Sequence, residues 1–206
     1  MLFASARNSI LVRVEPPTIV WLTTHMARSL STAEDRRETV LTTAVSAFAT
    51  RGYFGTTTVE VAKAAGISQA YLYRLFPDKQ TLFAAVVERC FTRILESFAE
   101  GATGDTPEAV LSSMGGAYAN LIADQDLLLT QMHAQCAALS VPEVKDAVRA
   151  GYQRLVDYAC GVSGASEKDV QAFFATGALC TVVVSMGADE VDEPWARTLN
   201  RDLRHP

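Results

Sequence analysis

Thr57, Thr58, Ser68, Gln69, Tyr71, Tyr73 and Lys79 bring hydroxyls, an amide, two phenols and an ammonium into one short stretch, with Ala70 among them. These groups donate and accept hydrogen bonds but form no nucleophile–base pair. Their chemistry is reversible recognition of a polar or anionic surface. Catalytic arrangements are not legible elsewhere. Ser, His and Asp occur, but no nucleophile elbow and no paired carboxylates. Cys90, Cys136, Cys160 and Cys180 lie far apart in apolar stretches and are expected to be buried reduced thiols, as in a cytosolic protein. No histidine lies near a cysteine or another histidine, so neither a metal site nor a cofactor is expected.

The elements that must position these groups read as helices, each with its start and stop signals. Ser31 with Glu34, or Thr32 with Asp35, forms a capping box. Val40, Leu41, Ala44, Ala47 and Phe48 follow on one face, and Gly52 ends that helix. Thr57 with Glu60 opens a short helix closed by Gly66. Ser68 caps a third, through Tyr71 and Tyr73 to Phe76, before Pro77. Asp78 caps a fourth that runs to about Ala99. Thr106-Pro107 starts another, Ser140 with Glu143 caps a helix from Val141 to about Cys160 that stops at Gly161, and Ser166 with Asp169 opens one closed by Gly187. Pro194 begins a last helix to about Leu203. The fold class is all-α, about nine helices, with no paired strands.

Thr57 to Leu82 is the informative stretch. Val61, Ala62 and Ala65 of the first short helix turn inward, Gly66-Ile67-Ser68 makes the turn, and Leu72 and Phe76 anchor the second helix from below. Gln69, Ala70, Tyr71 and Tyr73 then face outward, as in a helix-turn-helix that offers its second helix to the DNA major groove. From Arg37 to Leu82, the residues Phe48, Arg51-Gly52-Tyr53, Thr57-Thr58-Val59, Ala62, Ala65-Gly66-Ile67-Ser68, Leu72-Tyr73, Phe76, Asp78-Lys79 and Leu82 stand at gapless spacing. This pattern resembles the TetR family of one-component transcriptional regulators. Ala70 stands where Gly is frequent in that family and Tyr71 where Thr is frequent. The resemblance implies double-stranded operator DNA as partner, Gln69 and Tyr71 at base edges, and Tyr73 and Lys79 on phosphates.

Beyond residue 100 the resemblance is architectural: a variable helical body that holds a ligand and forms a dimer. The charge distribution agrees. Net charge is −5, divided as +1 over residues 1–25, +2 over 26–80 and −8 over 81–206, a mildly basic front on an acidic body. Three segments are expected: a disordered extension over 1–30, the DNA-binding domain over 31–80, and the effector-binding and dimerisation domain over 81–206. Ile10 to Pro17 alternates like a strand without a partner, a signal peptide is disfavoured, and Met26 is a candidate true start. The longest uncharged apolar run, Val170 to Met186, is short of the ~20 apolar residues of a membrane span.

In the body, Phe91, Leu95, Met114, Tyr118, Met132, His133, Cys136, Tyr152 and Phe174 are candidate walls of a pocket for a small hydrophobic or aromatic effector of unknown identity. The same side chains serve equally well as core, and His133 as a hydrogen-bonded core histidine. The helix from Glu167 to Met186 is apolar nearly all round, so one face is expected in the core and the other in a homodimer. Phe173, Ala178, Val182, Val183, Met186 and Trp195 are its candidate interface. The expected protein is a cytoplasmic, non-enzymatic homodimeric regulator, a repressor by family habit, that binds a palindromic operator. The alternatives are an architectural DNA-binding dimer without a ligand and a small helical enzyme.

Overall fold

The computed structural model describes residues 20–203, with side chains from Glu34 onward. Among these residues are nine α-helices, one 3-10 turn and no strand. They are α1 Val20–Gly55, α2 Thr58–Ala64, α3 Gln69–Leu75, α4 Lys79–Gly101, α5 Pro107–Leu121, α6 Gln125–Ala137, α7 Pro142–Ser163, α8 Glu167–Ser185, the 3-10 turn Ala188–Glu190, and α9 Pro194–Asn200. The chain divides into two units, Met1–Arg36 and Arg37–Pro206. Of the first, the described part is the opening of α1.

The expectation of a helix beginning at Ser31 is corrected: α1 is already helical from Val20. No Pro or Gly stands between Thr18 and Arg51, so nothing forces a break, and Ser31 and Thr32 lie inside the helix. The alternation of Ile10 to Pro17 lies outside the described residues. Gly52 leaves the helix at φ 67°, ψ −178°, as its position suggested.

The caps Thr57, Ser68, Asp78, Thr106 and Ser166 all stand where expected. Ser140 does not cap α7. Pro142 at the first helical position holds Val141 extended and makes it the N-cap. That helix also runs past Gly161 and stops at Gly164, which takes φ 63°. A glycine inside a helix costs only ~1 kcal/mol, whereas the left-handed turn at Gly164 ends it.

The core of the second unit is continuous. Val40, Ala44 and Phe48 of α1 meet Val61, Leu72 and Phe76 of the short helices, and Leu82, Phe83 and Val86 carry the cluster into α4. Along α4 it passes to Phe91, Ile94 and Phe98, then to Met114 of α5 and Val144 and Leu155 of α7. Each such side chain contributes roughly 1.5–3 kcal/mol by burial. The sequence-based boundary between 80 and 81 thus falls inside α4, which shares its apolar face with both ends of the unit.

Cys90 and Cys180 are buried, but Cys136 is exposed and Cys160 half-buried, correcting the expectation of four buried thiols. Among the described residues no cluster of His, Cys, Asp and Glu could hold a metal ion. None of their helices is long and apolar enough to cross a membrane.

Candidate nucleic-acid interface and internal cavity

The turn between α2 and α3 is built from backbone hydrogen bonds. The Gly66 N–H donates to the Lys63 carbonyl at 3.2 Å and the Ile67 N–H to the Ala62 carbonyl at 3.0 Å. This double closure requires a left-handed residue between them, and Gly66 supplies it at φ 66°. Ser68 Oγ then accepts from the Tyr71 N–H at 3.1 Å and opens α3. Leu72 and Phe76 are buried beneath, and the Arg37 guanidinium lies 4.2 Å over the Phe76 ring while donating to the Leu75 carbonyl at 3.0 Å. The floor of α3 is fixed from both sides.

Its roof is polar and organised. Thr58 Oγ1 and the Tyr73 hydroxyl stand 3.0 Å apart. Gln69 Nε2 donates to Thr58 Oγ1 at 3.2 Å and lies 3.4 Å from the Tyr73 oxygen. Ala70 is exposed and Tyr71 half-buried, with the Arg74 guanidinium 5.8 Å from the Tyr71 ring. Thr57 caps α2 in a reciprocal box: its N–H donates to Glu60 Oε2 at 2.9 Å and its Oγ1 accepts from the Glu60 N–H at 3.3 Å. These bonds hold the Glu60 carboxyl below its usual range, and Arg51 pairs with it at 2.5 Å. Lys79 Nζ sits 4.6 Å over the Tyr53 ring, and partial burial draws the ammonium below the usual lysine value while Glu60 pulls it back up. Arg74, beside Tyr71, is a cation that reading by motif did not single out. All eight sequence-selected residues fall in this module, and its polar side chains are of the types that meet base edges or phosphates.

The body holds a partly open cavity of about 900 Å³ between α4, α5, α6, α7 and α8. Phe91, Phe98, Tyr118, Tyr152, Phe173 and Phe174 form an aromatic belt along it, with ring centroids 5.3 Å apart for Phe91–Tyr152 and Phe98–Phe173, and 6.4 Å for Tyr152–Phe174. Polar groups lie on it as well, among them Gln131, Gln135 and Thr181. Gln131 is 8% exposed, and its Oε1 accepts from the Tyr118 hydroxyl at 3.2 Å; that phenol also stands 2.8 Å from Thr181 Oγ1. Burial pushes the Tyr118 hydroxyl up to about 12, so it keeps its proton at neutral pH.

Five of the nine sequence-selected pocket residues, Phe91, Tyr118, Met132, Tyr152 and Phe174, do line the cavity. Four do not. Met114 is fully buried between α4 and α5, one position off the Leu111–Gly115–Tyr118 face that meets the cavity. Leu95 is half-buried and turned away from the Phe91–Ile94–Phe98 face. Cys136 is exposed. His133 points to the other side of α6, where a Cβ built on Gly52 would lie 2.6 Å from its Nδ1. Gln131 and Thr181 were missed because only the fold brings them to Tyr118.

Of the six sequence-selected interface residues, Ala178, Val182, Met186 and Trp195 are exposed. Phe173 and Val183 are not available. Phe173 packs into the aromatic belt and Val183 is 0% exposed. The helix is therefore not buried on every side within this chain. Val170, Cys180, Thr181 and Val183 face its core, and Ala175, Leu179 and Met186, with Ala178 and Val182 that also line the mouth of the cavity, leave an outward apolar stripe at helical spacing.

A helix-turn-helix with a polar, exposed second helix, mounted on an all-helical body, defines the class of helix-turn-helix transcriptional regulators. Residues 40–86 match the family model for bacterial regulatory proteins of the tetR family. An uncharacterized HTH-type transcriptional regulator of Mycobacterium bovis is 28% identical over 117 residues, which is 55% of this chain and 60% of that protein. The chain thus spans less than two thirds of the length of the first curated relatives it matches. The fold is shared with a TetR-like transcriptional regulator from Rhodococcus sp. RHA1, with a TM-score of 0.59, 22% identity, and coverage of 80% of this chain and 91% of that one. It is also shared with the transcriptional regulator FadR from Bacillus subtilis in complex with stearoyl-CoA, with a TM-score of 0.58, 17% identity, and coverage of 80% and 94%.

Proposed function

We propose that this chain is a cytoplasmic, ligand-responsive repressor that binds a palindromic operator as a homodimer and leaves it when a small, largely apolar molecule fills the cavity. The observation that carries this reading is a single helix, α4, with one end under the polar module and its far half, Phe91, Ile94 and Phe98, on the wall of a 900 Å³ cavity. A molecule wedged there changes the tilt of α4 and with it the spacing of two recognition helices, which must stand ~34–36 Å apart on one face of DNA. The outward stripe of α8 is the surface on which a second copy docks, with Trp195 of α9 beside it. The FadR neighbour, crystallised with an acyl-CoA, supports the use of this fold around a long apolar ligand.

At the operator, Gln69 and Tyr71 take base edges, while Tyr73, Lys79, Thr57 and Thr58 hold phosphates, with the α3 N-terminus at Ser68 and Ala70 close against the backbone. Selection of operator sites from a random duplex library, followed by binding at several salt concentrations, tests this. Lys79→Ala is expected to weaken all sequences alike and to lower the salt slope by ~1. Tyr71→Ala is expected to change which sites are preferred. A lysine variant that altered base preference and left the salt slope untouched would overturn the assignment. A selected site that no compound dislodges would leave a constitutive DNA-binding dimer.

A further inference from the structure

The cavity carries one polar group whose partner is missing. Gln131 lies nine-tenths buried on the cavity wall, and its Nε2 has no hydrogen-bond partner. The Tyr118 phenol donates its single proton to Gln131 Oε1 at 3.2 Å, and the Thr181 hydroxyl, 2.8 Å from the phenol oxygen, donates its own to the Gly177 carbonyl at 3.0 Å. With its oxygen engaged, the amide has two N–H groups left. A buried donor without a partner costs about 1–3 kcal/mol, and a bound acceptor recovers part of that.

The charges around the cavity restrict the acceptor. Among the described residues no Lys, Arg or His lines it, whereas Glu108, Asp169 and Asp202 do, all three exposed at its rim. Asp169 is further committed to Ser166, whose Oγ donates to it at 2.6 Å. A carboxylate or phosphate entering this space would be stripped of water among aromatic rings with no cation to meet it. Aromatic walls, the buried Gln131 amide with the exposed Gln135 amide engaged on Tyr152, and no base among the described residues suit an uncharged molecule.

We propose that the cavity takes a neutral, largely aromatic molecule bearing one carbonyl-type acceptor, and that Gln131 Nε2 is the donor that selects it. This rests on the reading of the cavity as an effector site. It is tested on the full chain with three probes of one skeleton, benzophenone, diphenylmethane and diphenylacetate, by equilibrium dialysis. The wild-type protein is expected to bind the ketone about tenfold more tightly than the hydrocarbon, and the carboxylate most weakly. Gln131→Leu is expected to bring the ketone to within about twofold of the hydrocarbon, a net hydrogen bond being worth about that ratio. Equal binding of ketone and hydrocarbon by the wild type overturns the proposal without any variant having to fold. So does a preference that survives Gln131→Leu, tightest binding of the carboxylate, or binding of none of the three. Operator affinity is measured separately. Ketone selection with unmoved operator affinity refutes the effector reading and leaves the selectivity standing. Release from the operator by a compound of another charge class does the reverse.

Discussion

Gly52 to Ala is the most demanding test of how the module is set against the body. Gly52 sits at φ 67°, ψ −178°, a region essentially closed to residues with a Cβ. Forcing alanine into it costs about 1–3 kcal/mol of backbone strain. The added methyl would also stand 2.6 Å from His133 Nδ1 and 3.0 Å from its Cε1, so the half-buried imidazole must shift. Crowding of that kind costs about 1–3 kcal/mol, and the stiffer unfolded chain returns ~0.4–1 kcal/mol. The net expectation is a loss of about 2–4 kcal/mol, or roughly 5–15 °C in Tm for a chain of this size. Urea denaturation of the wild type, Gly52→Ala, His133→Ala and the double variant separates the two sources. His133→Ala removes the crowding but not the strain, so the double variant should be more stable than the sum of the singles predicts, by about 1 kcal/mol. A Gly52→Ala loss under about 0.5 kcal/mol, or strict additivity with His133→Ala, would refute the reasoning.

Two further outcomes follow from the caps and the outward stripe. The Thr81 N–H donates to Asp78 Oδ1 at 2.7 Å, which holds that carboxyl below its ordinary value, and Asp78→Ala is expected to cost about 1 kcal/mol at neutral pH. Because the folded value lies below the unfolded one, this contribution is complete above the ordinary carboxylate value and is lost as pH falls through the folded one. The gap between wild type and variant in urea stability should therefore be constant from about pH 7 to 5 and close below about pH 4; a gap that widened on acidification would contradict it. Val182→Glu, on the exposed stripe of α8, is expected to give a folded monomer in sedimentation, whereas Val183→Glu, fully buried one residue on, is expected to unfold the chain. Equal behaviour of the two would mean that α8 does not present its outward stripe to a partner.

The DNA-binding module was legible because each of its parts is local. Ser68 reaches Tyr71, Thr57 reaches Glu60 and Gly66 closes on Lys63, all within three residues. Leu72 and Phe76 share a face by helical spacing alone. The body was legible only as helices. Tyr118, Gln131 and Thr181 meet across 13 and 63 residues, and no periodicity connects them. Met114 and His133 read as cavity walls because they are large and lie in apolar helices; a shift of one position, about 100° around a helix, puts them elsewhere. Apolarity likewise misled for Phe173 and Val183, since the sequence of α8 does not say which stripe its own chain covers. Ser140 lost to Pro142 for a backbone reason: proline fixes the start of a helix one residue from where a side-chain cap would place it.

These corrections change where a ligand's effect would travel. On the proposed reading, a ~100-fold loss of operator affinity requires ~2.7 kcal/mol of difference between the two arrangements. Helix α4 supplies one route from cavity to module. Helix α6 supplies a second that the misplacement of His133 had hidden: Gln131, Met132 and Gln135 lie on the cavity, while His133 abuts Gly52 and Asp126 accepts from the Ser46 hydroxyl of α1. The two routes differ in kind. The contact of α4 with the module is broad and apolar, through Leu82 and Phe83, and such an interface tilts as a body. The contact of α6 is narrow, one imidazole on one glycine and one carboxylate on one hydroxyl, with no space for a methyl at the first. A contact that tight has few intermediate positions, and small displacements at packed interfaces resolve into discrete arrangements. A ligand that moves α6 therefore acts on the end of α1 by displacing the His133 ring, at the point where the backbone is already confined to a conformation open only to glycine.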